Sequence, residues 1–210
     1  NPRDINTFVG VLTKIKFTNL SGVNTLFKKI MEHPNFSKID TSALKYCVSG
    51  GMATEEAVAK RWEKYTGTIL LEGYGLTECS PTVLFNPINN KEFTGMTGLP
   101  LPQTDVQIRD DKGTELPEGE IGEICVSGPQ VMKGYLNRPL ETKETFTADG
   151  WLKTGDYATV DEKGYVRIVS RKKDMILVSG FNVYPNEIED IVVKLDGVDE
   201  CAAVGMADAK

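Results

Sequence analysis

Residues 44–78 run LKYCVSGGMATEEAVAKRWEKYTGTILLEGYGLTE: an apolar run, two glycines, an amphipathic stretch, then a second apolar run. Leu44–Ser49 reads as a short buried strand that Gly50 and Gly51 close. Thr54 reads as the cap of a helix with its apolar stripe at Val58, Trp62 and Tyr65, ended by Gly67. Thr68–Leu71 reads as the next strand. Strand, helix and strand joined by short connections predict a parallel sheet, because antiparallel neighbours need no helical crossover.

Upstream, Val23, Leu26, Phe27, Ile30 and Met31 recur at helical spacing, with Ser21 as the candidate N-cap. Downstream of Pro81 the texture changes. The short segments Asp105–Arg109, Glu123–Val126 and Tyr165–Val169 alternate apolar and polar residues, and the turn sequences DDKG, PEGE and DEKG lie between them. This predicts a small barrel or sandwich. A third unit begins at Met175, with a strand over Met175–Val178. A helix follows with Pro185 in its first turn and Ile188, Ile191, Val192 and Leu195 on one face, then Gly197 and a strand over Cys201–Val204. The expected class is therefore α/β: a partial parallel sheet with helices over 1–88, a β-rich, barrel-like subdomain over 89–170, and the start of an α+β domain over 171–210.

Composition narrows the function classes. A net charge of −6 argues against broad nucleic-acid binding, which needs a basic face. Cys47, Cys79, Cys125 and Cys201 lie far apart with no CxxC pair, and His33 is the single histidine, so a zinc site is disfavoured and a reducing compartment fits. No apolar run approaches the length of a membrane span.

The chemistry-bearing residues cluster at a few turns. The strand ending at Leu71 feeds into Gly73-Tyr74-Gly75-Leu76-Thr77-Glu78, and glycines at the C-terminal end of a parallel strand let backbone approach a ligand closely. Taken alone, Tyr74 is equally a core ring and Glu78 a solvated carboxylate. The Thr154-Gly155-Asp156 triplet by itself reads as a β-turn, and Arg171-Lys172-Lys173-Asp174 as a solvated turn. Cys79 has no neighbouring base and reads as packing, not as a nucleophile. His33, before Pro34, reads as a surface or C-cap residue.

Two longer stretches sharpen these readings. LEGYGLTECSP (Leu71–Pro81) and DGWLKTGDYATVDEKGYVRIVSRKKDMILVSGFNVYPNEIE (Asp149–Glu189) together resemble the adenylate-forming, AMP-binding superfamily, and within it most closely the bacterial long-chain fatty-acid–CoA ligases. The resemblance covers nearly the whole chain from Gly22 onward. It implies ATP, Mg²⁺ and coenzyme A as cofactor and co-substrates, and a fatty acid as the acid activated. It further implies that Tyr74 stacks on adenine, that Thr77 hydrogen-bonds the α-phosphate, and that Glu78 holds Mg²⁺, making Thr77 and Glu78 the catalytic pair. The turn of Gly50, Gly51, Met52 and Ala53 lines the other side of the adenine, with Ala53 where many relatives carry proline. Gly73 and Gly75 shape the nucleotide turn. Asp156 takes the ribose hydroxyls, Arg171 reaches the ribose and phosphates, Lys173 is the hinge of a rotating C-terminal domain, and Gly180 faces the pantetheine channel. Leu177 departs from the lysine frequent there in relatives.

The resemblance also implies that two parts of the machinery lie outside this stretch: a Ser/Thr/Gly-rich phosphate loop upstream and a lysine downstream of Lys210. The chain is accordingly expected to be an internal fragment, inactive alone, and to self-associate through exposed sheet edges. The implied location is cytoplasmic, with room for peripheral contact at the inner face of the membrane. The alternatives are another adenylate-forming enzyme (an aryl-CoA ligase, a luciferase-like oxygenase or a peptide-synthetase adenylation domain) or a nucleotide-binding module without catalysis.

Overall fold

In the computed structural model, which describes residues 3–195, 197–198 and 201–207, contacts divide the chain into two units, Asn1–Leu101 and Pro102–Lys210. The first unit opens with α1 (Ile5–Leu12), whose N-cap Asp4 accepts the Thr7 amide at 3.2 Å. β1 (Asn19–Gly22), α2 (Asn24–Glu32), β2 (Tyr46–Gly50), α3 (Glu56–Thr66) and β3 (Leu70–Gly75) follow. β1, β2 and β3 are parallel, as the strand–helix–strand pattern predicts. β4 (Thr82–Phe85) and β5 (Leu99–Pro100) then extend the same sheet antiparallel, in the order β1-β2-β3-β4-β5.

Two expected caps are absent for the same reason: each residue is engaged by a partner outside the helix it was expected to cap. Ser21 belongs to β1, opposite Val48, and α2 starts after Val23 without a side-chain cap. The Thr54 hydroxyl donates to Ser49 Oγ at 2.7 Å, and α3 begins one residue later than expected, with Glu55 as its N-cap. The helices hold instead by burial. Leu26, Phe27, Ile30 and Met31 of α2 and Val58, Ala59 and Trp62 of α3 share one core with Cys47 and Leu70. Trp62 meets the Phe27 ring edge-on at 4.9 Å. Tyr65, expected on the apolar stripe, is 56% exposed, its ring against Phe36 and below Arg61. Gly67 ends α3 at φ +68°, as expected, and its amide donates to Glu63.

The second unit is built on an open antiparallel sheet of β6 (Asp105–Arg109), β7 (Gly122–Ser127), β8 (Leu152–Val160) and β9 (Val166–Arg171), in sequence order, with α4 (Pro139–Thr145) between β7 and β8. Its edges, β6 and β9, do not pair, so the β-rich part is a sheet and not a closed barrel. The turns work as their sequences indicate. The Asp110 carboxylate accepts the amides of Lys112 and Thr114, and Asp161 those of Lys163 and Tyr165.

β10 (Ile176–Val178) forms a hairpin with β11 (Phe181–Val183), followed by α5 (Pro185–Val192). Ser179 and Gly180 both have positive φ, the two-residue turn that matches strand twist. The apolar face expected of α5 is not a core face among the described residues: Ile188, Ile191 and Leu195 are exposed, Ile191 by 67%. The strand expected over Cys201–Val204 is absent. Its backbone is engaged by α5 instead, the Ala203 amide donating to Glu189 Oε1 at 2.8 Å, and a strand without a ladder partner does not form.

Candidate active site

In the first unit, β2 and β3 end side by side, with Gly50 opposite Gly73. A side chain on Gly50 would sit 3.3 Å from the Gly73 carbonyl, a tight contact, whereas one on Gly75 would overlap the Pro81 carbonyl, so Gly75 is required by the chain's own close approach. Gly51 turns the chain at φ +80° and leaves Met52 half exposed. The β3–β4 ladder shifts register between Tyr74 and Gly75, where β4 carries Val83 as an extra residue, and a 3-10 turn, Thr77–Cys79, presents Thr77 to solvent with Glu78 half buried. Beside them Cys79 is fully buried, and burial followed by the Glu78 charge pushes its thiol up to about 11. That agrees with a packing role. His33 is the C-cap of α2, its Nδ1 accepting the Asn35 amide.

A carboxylate that the sequence reading passed over stands behind this turn. Glu72 Oε1 accepts the Thr54 amide at 3.2 Å, and through the Thr54–Ser49 hydroxyl pair it braces the loop carrying Gly51 and Met52. Glu72 Oε2 is buried without a hydrogen-bond partner. Burial pushes this carboxyl up to about 7, against the opposing hydrogen bonds from Thr54. A lone acid inside the apolar-to-glycine run LLEGYG is the only sequence sign of it.

In the second unit, Asp156 and Arg171 are direct cross-strand partners on β8 and β9. Fifteen residues of sequence separate them, yet the hairpin makes them neighbours. Thr154-Gly155-Asp156 is no turn. It is an irregularity within β8: Glu123 and Cys125 of β7 oppose Tyr157 and Lys153, leaving three β8 residues against one of β7. The broken ladder is repaired by side chains. Thr154 Oγ1 donates to the Ile124 carbonyl at 2.9 Å, and the Gly155 amide donates to Glu123 Oε1 at 3.1 Å. Lys173 is exposed in the 3-10 turn Lys172–Asp174, and Gly180 is at the tip of the β10–β11 hairpin. Nearby, the buried Arg109 guanidinium grips both Asp149 oxygens at 3.0 and 2.8 Å and stacks on Trp151. That grip, with the Thr147 hydroxyl, holds the Asp149 carboxyl well below the usual range. Neither Arg109 nor Glu123 stands in a motif, so nothing local marks either one.

The residues expected to act fall into two sets. Gly51, Met52, Gly73, Tyr74, Gly75, Thr77 and Glu78 cluster around the ends of β2 and β3 in the first unit. Asp156, Arg171, Lys173 and Gly180 lie along β8–β11 in the second. Among the described residues no group of three or more His, Cys, Asp or Glu could hold a metal by itself, and no helix is long and apolar enough to cross a membrane.

A model of the AMP-binding enzyme family matches residues 1–136. The chain belongs to the AMP-binding enzymes. It is 54% identical over 206 residues to the long-chain-fatty-acid–CoA ligase of Escherichia coli O6:H1, covering 98% of this chain and 36% of that protein. A feruloyl-CoA synthase from Amycolatopsis is 38% identical over 208 residues, 99% of this chain and 42% of the synthase. Among solved structures, ATP-bound MatB from Rhodopseudomonas palustris superposes with a TM-score of 0.88 at 35% identity, covering 100% of this chain and 41% of MatB. This AMP-binding chain thus spans about a third of the length of the fatty-acid–CoA ligases it matches.

Proposed function

We propose that this chain is part of a long-chain fatty-acid–CoA ligase, which joins a fatty acid to coenzyme A at the expense of ATP. The carrying observation is the 54% identity to a ligase of that name, over a stretch holding both the Gly73–Glu78 turn and the Asp156–Arg171 pair. In the first half-reaction a carboxylate oxygen attacks the α-phosphorus of ATP. The acyl-adenylate forms, and pyrophosphate leaves with the electrons of the bond to the bridging oxygen. In the second, the coenzyme A sulfur, its proton lost, attacks the acyl carbonyl, and AMP leaves as the thioester forms.

Tyr74 stacks on adenine between Gly73 and Gly75, with Gly51 and Met52 on the base's other side. The Thr77 hydroxyl donates to an α-phosphate oxygen. The two ribose hydroxyls donate to the two Asp156 oxygens, and Arg171 supplies positive charge toward ribose and phosphate. Glu78 would hold Mg²⁺: a single half-buried carboxylate suits an ion that takes its other ligands from water and substrate phosphates. When bound, that ion neutralises phosphate charge as pyrophosphate departs. Lys173 serves as the hinge between half-reactions, and Gly180 borders the pantetheine channel. The enzyme works in the cytoplasm, meeting long acids at the inner face of the membrane. The 38% identity to a feruloyl-CoA synthase supports a second reading, in which the acid is aromatic.

The test is ATP–pyrophosphate exchange by the full-length enzyme across fatty, aryl and amino acids, with this chain alone as control. Exchange driven by long fatty acids, silent in the chain alone, and weakened on the order of 10²-fold or more by Glu78→Gln, is the expected result. Exchange driven only by aryl acids transfers the assignment to the second reading. None with any carboxylic acid refutes both.

A further inference from the structure

We propose that Glu123 and Lys172 are positioning residues that set the spacing of the Asp156–Arg171 pair. This rests on the reading that the pair holds the ribose and phosphates of ATP. Glu123 is 8% exposed on β7 and uses one oxygen on β8 and the other on the 3-10 turn that follows β9. Oε1 accepts the Gly155 amide at 3.1 Å, inside the irregular stretch of β8 that displays Asp156. Oε2 accepts Lys172 Nζ at 2.9 Å, one residue beyond Arg171 at the end of β9.

The backbone explains why a carboxylate is needed. Where β8 carries its extra residues, the Gly155 amide faces β7 without a ladder carbonyl, and a buried N–H requires an acceptor. A neutral acceptor would serve that amide. It would not hold an ammonium as well. Lys172 also donates to Asp111 at 2.7 Å. Burial alone would pull its pKa down, but the bonds to Asp111 and Glu123 outweigh burial and hold it above the ordinary lysine value. One buried carboxylate therefore ties the residue before Asp156 to the residue after Arg171. Ribose recognition by a bidentate carboxylate depends on angle as well as distance, so loosening either tie misplaces the pair.

The experiment uses the full-length enzyme with Glu123→Ala, Glu123→Gln, Lys172→Met and the double variant Glu123→Gln/Lys172→Met. For each, ATP KM and kcat in pyrophosphate exchange are read beside the thermal midpoint, and Gly155 and Asp156 amide exchange by mass spectrometry. Glu123→Ala and Lys172→Met are expected to raise ATP KM on the order of tenfold with a smaller change in kcat. Glu123→Gln keeps an oxygen for Gly155, so it should protect that amide yet still raise KM. The double variant removes the unpaired buried charge left by Lys172→Met. It should recover the thermal midpoint while KM stays high, and no worse than in the singles, because both substitutions cut one link. ATP KM within about twofold of the unsubstituted enzyme in folded variants, or a KM that recovers with the midpoint, overturns the proposal. If the unsubstituted enzyme shows no exchange, the functional reading fails, and amide exchange alone judges the tie: unchanged protection of Gly155 in Glu123→Ala refutes it.

Discussion

Replacing Glu72 by glutamine should change how stability depends on pH, in a direction that its surroundings dictate. The carboxyl has one oxygen on the Thr54 amide and the other buried without a partner, and burial raises its pKa from 4.5 to about 7. Because the folded state holds the proton more tightly than the unfolded chain, the stabilisation is complete below pH 4.5. It is lost as pH rises through about 7. At about 1.36 kcal/mol per pH unit, that interval is worth roughly 3 kcal/mol. Glutamine keeps an oxygen for Thr54 and cannot ionise. The variant should therefore gain on the native protein steadily from pH 4.5 to 7, by about 3 kcal/mol in all, with other carboxylates cancelling in the difference. The assay is urea unfolding at half-unit pH steps, followed by fluorescence in a Trp151→Phe background, where Trp62 is the remaining tryptophan and reports on the first unit. A native-minus-variant difference that is flat across this window would refute the reasoning, because it would mean that Glu72 titrates alike in the folded and unfolded chains.

Phe27, 0% exposed and edge-on to Trp62, should cost ~3–5 kcal/mol when replaced by alanine, measured by the same unfolding. Cys47, Cys79 and Cys125 are buried, their thiols pushed up to about 12, 11 and 11, whereas Cys201 is partly exposed. A thiol reagent at neutral pH should therefore modify Cys201 first and the other three only on unfolding, as peptide mapping would record. Fast labelling of Cys79 in the folded protein would contradict the packing role. β1 lies at the edge of its sheet, and apolar residues such as Leu177, Phe181 and Ile191 are exposed. The isolated chain is thus expected to elute from a sizing column as a dimer or larger species, and a monomer at micromolar concentration would contradict that.

Local pattern and turn chemistry were enough to reveal much of this protein. The apolar spacing of residues 44–71 implies the parallel core, Gly67 the end of α3, and Asp110 and Asp161 their turns, because periodicity and side chain-to-backbone bonds act within a few residues. The stretches Leu71–Pro81 and Asp149–Glu189 likewise carry the family resemblance by themselves. Where the reading erred, a partner outside the element being read competed with its local preference. Ser21 joined β1, Thr54 turned to Ser49, and the amide of Ala203 went to Glu189 instead of a strand. Only the tertiary structure could make Asp156 and Arg171 neighbours, break the β8 ladder at Gly155, or put one Glu123 carboxylate between Gly155 and Lys172. Those relations join residues up to 49 apart in the chain. They depend on strand register and burial, which come into being only when the sheet has formed.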